Sequence, residues 1–309
     1  LRAVFGIGLL NFSTVPNQRK QTGMIVTKTI EATVNLLDQK RKEGKSTGLV
    51  PTMGALHPGH LSLIRRAKAE NDFVVCSIFV NPIQFTNKED LEKYPRSFDT
   101  DFRMLEQAGC DLVFAPEVDE IYPNNNDSLP VYELNGLDKP MEGVFRPGHF
   151  QGVCVIVHKL FNIVRPRRAY FGEKDFQQLA VIRHMTTSLK LDLEIVGCAI
   201  VREEDGLAMS SRNMRLSESE REIAPLIYRI LQTAKAIVNS GIIISPDHLK
   251  QWISDQITKN PPLRPEYIEI VNKNTLQTVF DWNESNELIA CVAVYDGSVR
   301  LIDNIVLFS

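Results

Sequence analysis

The chain has 309 residues, 43% hydrophobic and 24% charged, an ordinary balance for a globular protein and enough chain for one large and one smaller domain. Its formal net charge of -3 at pH 7 gives no electrostatic reason to expect nucleic acid or an anionic membrane as partner, and no apolar run is long enough to span a bilayer. Cys76, Cys110, Cys154, Cys198 and Cys291 stand singly, without a CxxC or Cys/His cluster, which argues against a structural zinc site and for buried thiols in a reducing, cytoplasmic setting.

Residues 1–23 carry Arg2, Arg19 and Lys20 and no acid. The apolar stretch from Ala3 to Phe12 is signal-like, yet no clear cleavage site follows it. A disordered or artefactual extension is the expectation, with a targeting peptide as the alternative. From Met24 onward helix and strand patterns alternate. Helices are predicted over 29–43, 60–70, 97–108, 152–164 and 176–189, and strands over 48–51, 73–80, 111–114, 168–171 and 193–196. Phe73 to Val80 is a nearly continuous apolar run, typical of a central parallel strand. Strand and helix in turn mean βαβ units and a parallel sheet covered on both faces. Beyond about residue 200 the rhythm changes. Helices over 218–240 and 247–259 are followed by strands over 266–271, 287–295 and 299–307, with Tyr295-Asp296-Gly297-Ser298 as a hairpin turn. Asn124 to Ser128 reads as a polar loop. The fold class is therefore α/β: a Rossmann-like parallel sheet with helices on both faces, spanning 24–200, and a smaller C-terminal α+β domain over 201–309.

The densest chemistry lies in Val50-Pro51-Thr52-Met53-Gly54-Ala55-Leu56-His57-Pro58-Gly59-His60. Two histidines three residues apart sit where a strand ends and a helix begins. Such a turn offers backbone N–H groups and the positive end of a helix dipole, and two imidazoles add donors that can carry charge. That suits phosphate oxygens and charge growing during phosphoryl chemistry. A second segment, Met209-Ser210-Ser211-Arg212-Asn213, supplies two hydroxyls and a guanidinium after the turn Glu204-Asp205-Gly206. In open parallel sheets ligands bind at the carboxyl ends of strands. The loops 52–60, 81–85 and 172–178 all follow predicted strands and so converge there. Gly44-Lys45-Ser46-Thr47 mimics the end of a P-loop, but position 39 is Gln39 and the segment leads into a strand rather than out of one. His158, His184 and His248 are read as packing or solvated residues.

Together the two segments resemble the HxGH and KMSKS-like pair of the nucleotidylyltransferase superfamily. The resemblance narrows through Phe79-Val80-Asn81-Pro82-Ile83-Gln84-Phe85, Tyr94-Pro95-Arg96, Arg146-Pro147-Gly148-His149-Phe150 and Tyr170-Phe171-Gly172-Glu173-Lys174-Asp175-Phe176-Gln177-Gln178. With the two above they stand in the order of the pantothenate synthetase family, over residues 24 to 309. The resemblance implies joining of pantoate to β-alanine at the expense of ATP. The pantoate carboxylate attacks the α-phosphorus and releases pyrophosphate. The amine of β-alanine then attacks the acyl adenylate and expels AMP.

The resemblance also implies roles for residues. His57, His60, Lys174 and Arg212 would be catalytic, with His60 aligned to the family's principal histidine, seen as a proton donor. Met53, Gly54, Gly172, Glu173, Lys174, Asp175, Val201, Met209, Ser210, Ser211 and Arg212 would join the two histidines in binding ATP. Lys174 would set a point charge against the phosphates, and Val201 would offer its backbone to adenine. Gln84 and Gln178, with Asn81 secondary, would bind pantoate or β-alanine. Mg²⁺ is expected with ATP, held by phosphates and water rather than a protein cage, and Asp99 and Asp101 lie where the family can add a carboxylate. A homodimer is implied by resemblance only. Other readings stand beside the ligase: a nucleotidylyltransferase stopping at a nucleotidyl product, a non-catalytic nucleotide-binding module, and a tRNA synthetase fragment, the poorest of these because the chain has no basic anticodon-binding stretch.

Overall fold

The computed structural model describes residues 23–123, 129–240 and 244–308. The expected N-terminal extension, save Gly23, and the polar loop expected at 124–128 lie outside the described residues. Six strands, β1 (Ile25–Thr27), β2 (Thr47–Thr52), β3 (Phe73–Ile78), β4 (Leu112–Phe114), β5 (Arg168–Gly172) and β6 (Glu194–Cys198), form a parallel sheet in the order β1-β4-β3-β2-β5-β6. Between them run α1 (Ile30–Lys42), α2 (Pro58–Glu70), α3 (Lys88–Glu92), α4 (Phe98–Gln107), α5 (Val118–Ile121), α6 (Glu142–Phe145), α7 (His149–Val164) and α8 (Phe176–Ser188).

Side chains alternate across a strand, and the two faces bury different helices. Leu49, Val75, Leu112, Ala169 and Phe171 share one core with Leu37 of α1, the apolar length of α7 and Leu179 and Ile182 of α8. Their neighbours Val50, Val74, Cys76, Val113, Tyr170 and Val196 pack on Leu63, Ile64 and Ala67 of α2 and Leu105 of α4. The alternation thus places helices on both faces, as the βαβ rhythm requires.

The predicted 23-residue helix over 218–240 is two helices, α9 (Glu218–Ile223) and α10 (Leu226–Asn239). Pro225 breaks it: proline offers no N–H, and its ring clashes with the carbonyl four residues back. With α11 (Pro246–Thr258) they cover an antiparallel sheet of β7 (Leu263–Asn272), β8 (Leu288–Asp296) and β9 (Val299–Phe308), in that order. Leu231, Leu249, Ile253, Ile270, Val292 and Leu307 belong to this second core. Val271, Ile289 and Cys291 instead join the core of the parallel sheet. All five cysteines are buried and free, and no helix among the described residues is long and apolar enough to cross a membrane. The GKST segment leads into β2, at the end of the sheet opposite the loop-to-helix turn bearing His57 and His60.

Candidate active site

The chain runs from β2 outward to β3 on one side and from β5 outward to β6 on the other. The reversal falls between the paired neighbours β2 and β5, and it leaves a crevice above their carboxyl ends. The loop after β2 carries His57 and runs into α2, whose first turn carries His60, and the turn after β5 carries Lys174. This topology brings residues more than a hundred positions apart to one cleft.

The β2 loop is shaped by backbone conformations that favour glycine. Gly54 has φ +80° and Ala55 φ +50°, and a carboxylate secures the turn. Buried Asp101 of α4 accepts hydrogen bonds from Ala55 N at 2.9 Å and Leu56 N at 2.8 Å, and Ser97 Oγ donates to it at 3.2 Å. These two N–H groups are therefore held by protein rather than offered to a ligand. Helix α2 then starts at Pro58, with the His57 carbonyl accepting from His60 N at 2.8 Å. The two imidazoles lie 4.0 Å apart between ring centroids. A Cβ on Gly59 would come within 2.9 Å of the His57 ring, so the glycine between the histidines makes room for the first.

Both rings are half-buried. Among the described residues, neither Nδ1 has a hydrogen-bond partner although both atoms are enclosed. Burial, reinforced by the positive charge of Lys174 and opposed by Asp175, pushes the His57 pKa down to about 4. Burial, then His57 and Lys174, pushes that of His60 down to about 3. The rings are neutral without a ligand, each with one N–H and one lone pair. Lys174 has no carboxylate at ion-pair distance among the described residues. Its turn is pinned from behind by Asn304 of β9, whose Nδ2 donates to Glu173 O at 2.9 Å and Lys174 O at 3.1 Å. An uncompensated ammonium beside two neutral imidazoles favours a polyanion.

The Met209–Arg212 segment closes the cleft from the far side. Residues 202–208 form a small hairpin in which Arg202 pairs with Ala208, and Met209 N donates to Val201 O at 3.0 Å. Arg202 is clamped by Asp303 through two bonds of 2.7 and 2.9 Å. Arg212 and Arg215 share Asp90 of α3 at 3.0 and 3.1 Å, and Tyr94 reaches Ser211 at 3.4 Å. Opposite lies an apolar wall of Val153, Ile156, Val157 and Leu160 from α7. Gln84 sits there almost fully buried, its Nε2 3.2 Å from Met53 Sδ and its Oε1 accepting from Asn81 Nδ2 at 3.1 Å.

Of the residues implied from sequence, Met53, His57, His60, Asn81, Gln84, Gly172, Lys174, Asp175, Gln178, Val201, Met209, Ser210, Ser211 and Arg212 line this one cleft. Gly54 and Glu173 do not. Gly54 lies under the loop, against Asp101 and Ile78 and facing a separate cavity. The Glu173 carboxylate points toward Gly197 on β6. Asn81 lines the cleft, yet its amide is engaged within the protein, donating to Gln84 and Gly152 and accepting from Tyr122. Asp101, which lies where the resemblance can add a carboxylate, is spent on the β2 loop. Among the described residues, no group of three or more His, Cys, Asp or Glu side chains is placed to hold a metal ion. Sequence reasoning missed Asp90, Asn304, the α7 wall and the part Asp101 plays in holding the β2 loop. Only the wall had a signal, the apolar run of α7; the others act through contacts distant in sequence.

The family model described as "Pantoate-beta-alanine ligase" matches residues 25–306. The pantothenate synthetase of Phocaeicola vulgatus is 54% identical over 283 residues, 91% of this chain and 99% of that protein. That of Bacteroides fragilis is 52% identical over 278 residues, 90% and 96% of the two chains. A crystal structure of the Thermus thermophilus pantothenate synthetase superposes with a TM-score of 0.86 at 42% identity, covering 93% of this chain and all of that one. The pantoate–β-alanine ligase of Francisella tularensis, solved in complex with "Beta-gamma ATP and Beta-alanine", gives 0.76 at 35% identity over 92% and 98%. With its fold, its cleft and these relatives in agreement, the chain belongs to the pantoate–β-alanine ligase family.

Proposed function

We propose that this chain, an ATP-dependent ligase of pantoate and β-alanine by its family, works through a pantoyl adenylate held in the cleft between His57, His60 and the α7 wall. A carboxylate is a poor acyl donor because its leaving group would be oxide. Transfer of AMP to it supplies a good one, and the amine then needs no covalent enzyme intermediate. The protein's part is positioning and charge stabilisation. His57, His60 and Lys174 would meet the phosphates from the β2 and β5 side. Ser210, Ser211 and Arg212 would meet them from the other, Arg212 exchanging Asp90 for phosphate oxygens through its planar fork. Met53, Asp175 and the Val201 backbone would border the nucleoside. Gln84 and Gln178 would hold the hydroxyl and carboxylate oxygens of pantoate, with its two methyl groups against Val153, Val157 and Leu160. Mg²⁺ would arrive on the triphosphate, screening its charge.

The observation that carries this reading is the meeting of a cationic, phosphate-suited rim and a mostly apolar pocket with two amides in one cleft. A nucleotidyl-product enzyme would need the rim but not this apolar pocket. We also propose that residues 24–200 bind ATP and pantoate, that 201–309 act as a lid, and that the enzyme is a cytoplasmic homodimer, testable by sedimentation. The decisive assay follows AMP and pyrophosphate release with pantoate, with and without β-alanine, using His60→Ala as control. AMP that requires both substrates and is lost in the variant is expected. Pyrophosphate without AMP, for another acceptor, would favour a nucleotidylyltransferase, and ATP binding without turnover a binding module.

A further inference from the structure

The segment Arg146-Pro147-Gly148-His149-Phe150 has no part in the chemistry above, yet its histidine is almost fully buried next to the pantoate pocket. Gly148, with φ +81°, turns the chain so that His149 opens α7. The His149 Nδ1 lies 2.8 Å from the carbonyl oxygen of Gln84. A carbonyl only accepts, so Nδ1 carries the hydrogen. Burial, then the charge of Arg146, pushes this imidazole down to about 4, so the ring is neutral and Nε2 is a lone pair.

Further into the same helix Gly152 makes a second, independent contact. Its carbonyl accepts from Asn81 Nδ2 at 3.0 Å. A Cβ there would lie 2.6 Å from Ile83 O and 2.7 Å from Gln84 Cα, so only glycine lets the Pro82–Gln84 turn press so close. The contacts also fix which way the amides point. Gly152 O requires the N–H side of Asn81, and Tyr122 donates to Asn81 Oδ1 at 2.8 Å. Asn81 Nδ2 then engages Gln84 Oε1 at 3.1 Å. Gln84 therefore turns its Nε2 side to the cleft, one N–H donating to Met53 Sδ at 3.2 Å and the second left to donate to a ligand.

We propose that His149 is a positioning residue for substrate recognition: its hydrogen bond to the Gln84 carbonyl sets the turn that presents Gln84 as an N–H donor to the oxygens of pantoate. The inference rests on the reading of Gln84 as a pantoate ligand. A buried carbonyl left unpaired lets the turn shift, and small displacements of a positioned group are costly in rate.

The test measures steady-state constants for pantoate and for ATP in His149→Phe, His149→Asn, Gln84→Leu and the double variant His149→Phe/Gln84→Leu. Asparagine retains an N–H at the place of Nδ1; phenylalanine keeps the ring and loses it. His149→Phe is expected to lower kcat/KM for pantoate about tenfold with KM for ATP unchanged. His149→Asn should restore most of it, and the loss should vanish in the Gln84→Leu background, because residues acting through one another are not additive. A His149→Phe loss that falls equally on ATP, is not rescued by asparagine, or persists undiminished without Gln84 would overturn the positioning role. If Gln84→Leu itself leaves the pantoate constants unchanged, the reading of Gln84 fails first, and the inference with it.

Discussion

At the scale of single residues the cleft depends on small groups that leave space and on imidazoles that burial keeps neutral. Gly59→Ala would drive a methyl into the His57 ring. It should lower turnover by an order of magnitude or more while leaving the thermal midpoint nearly unchanged, since a displaced catalytic group costs rate before stability; a variant with wild-type kcat would show that His57 tolerates the shift. The two neutral histidines make a second prediction. Their depressed pKa values come from burial and Lys174, and a bound triphosphate adds negative charge that raises both. ATP binding in mildly acidic buffer should therefore take up protons, read as a calorimetric enthalpy that depends on buffer ionisation. Enthalpy independent of the buffer would mean the phosphates do not reach the imidazoles.

At the scale of elements, local chemistry and tertiary contact divide the work. Helix α11 is capped by Ser245, whose hydroxyl accepts from His248 N at 3.3 Å, and it buries Leu249, Ile253 and Ile257. Ser245→Ala should cost about 1 kcal/mol, seen as a lower urea midpoint with activity retained; a midpoint equal to wild type would mean that water caps the helix as well. The short elements β1, α3, α5 and α6 are a different case. Each spans three to five residues, too few for a hydrophobic period to show. Helix α3 nevertheless supplies Asp90, the partner of Arg212 and Arg215. Its sequence, Lys88-Glu89-Asp90-Leu91-Glu92, looks like any solvated turn.

At the scale of the whole molecule the two cores are joined by a buried ionic knot. Glu142 of α6 meets Arg300 of β9 at 2.7 and 3.0 Å, Arg146 at 3.2 Å and the Tyr267 hydroxyl at 2.9 Å. Burial alone would raise the Glu142 pKa, but the bonds and charge of Arg300, with Arg146, hold it down to about 2. A carboxylate lowered on folding stabilises above its unfolded value of 4.5 and loses that contribution as pH falls toward 2. The buried histidines act in the same direction earlier. Their folded values near 4 and 3 lie below 6.5, so the unfolded chain binds protons first and stability falls as pH drops below 6.5. The urea midpoint should decline in two stages on acidification, and Glu142→Gln should shrink the lower stage, to which carboxylates such as Asp90 and Asp205 also contribute. At neutral pH that substitution should cost roughly 3 kcal/mol, the range for breaking a buried pair. An unaltered lower stage in the variant would assign it to other carboxylates.

The sequence by itself determined the βαβ rhythm, the loops at the strand ends and the family, because hydrophobic period and motif order are written in neighbouring residues. The same local logic placed His57, His60, Lys174, Gln84 and Arg212 on loops that could meet. Only the tertiary structure decided that they do, since strand order and the reversal between β2 and β5 follow from pairings distant in the chain. It also decided who serves the site from behind. Asp101 holding the β2 loop, Asn304 pinning the Lys174 turn and His149 bonded to the Gln84 carbonyl are each contacts 45 to 131 residues apart. Gly54 was expected at the nucleotide through the resemblance, but which way it faces depended on where Asp101 packs. Pro225 alone was a local signal that should have divided the long predicted helix: a missing N–H and a ring clash act at one residue, whatever the periodicity around it.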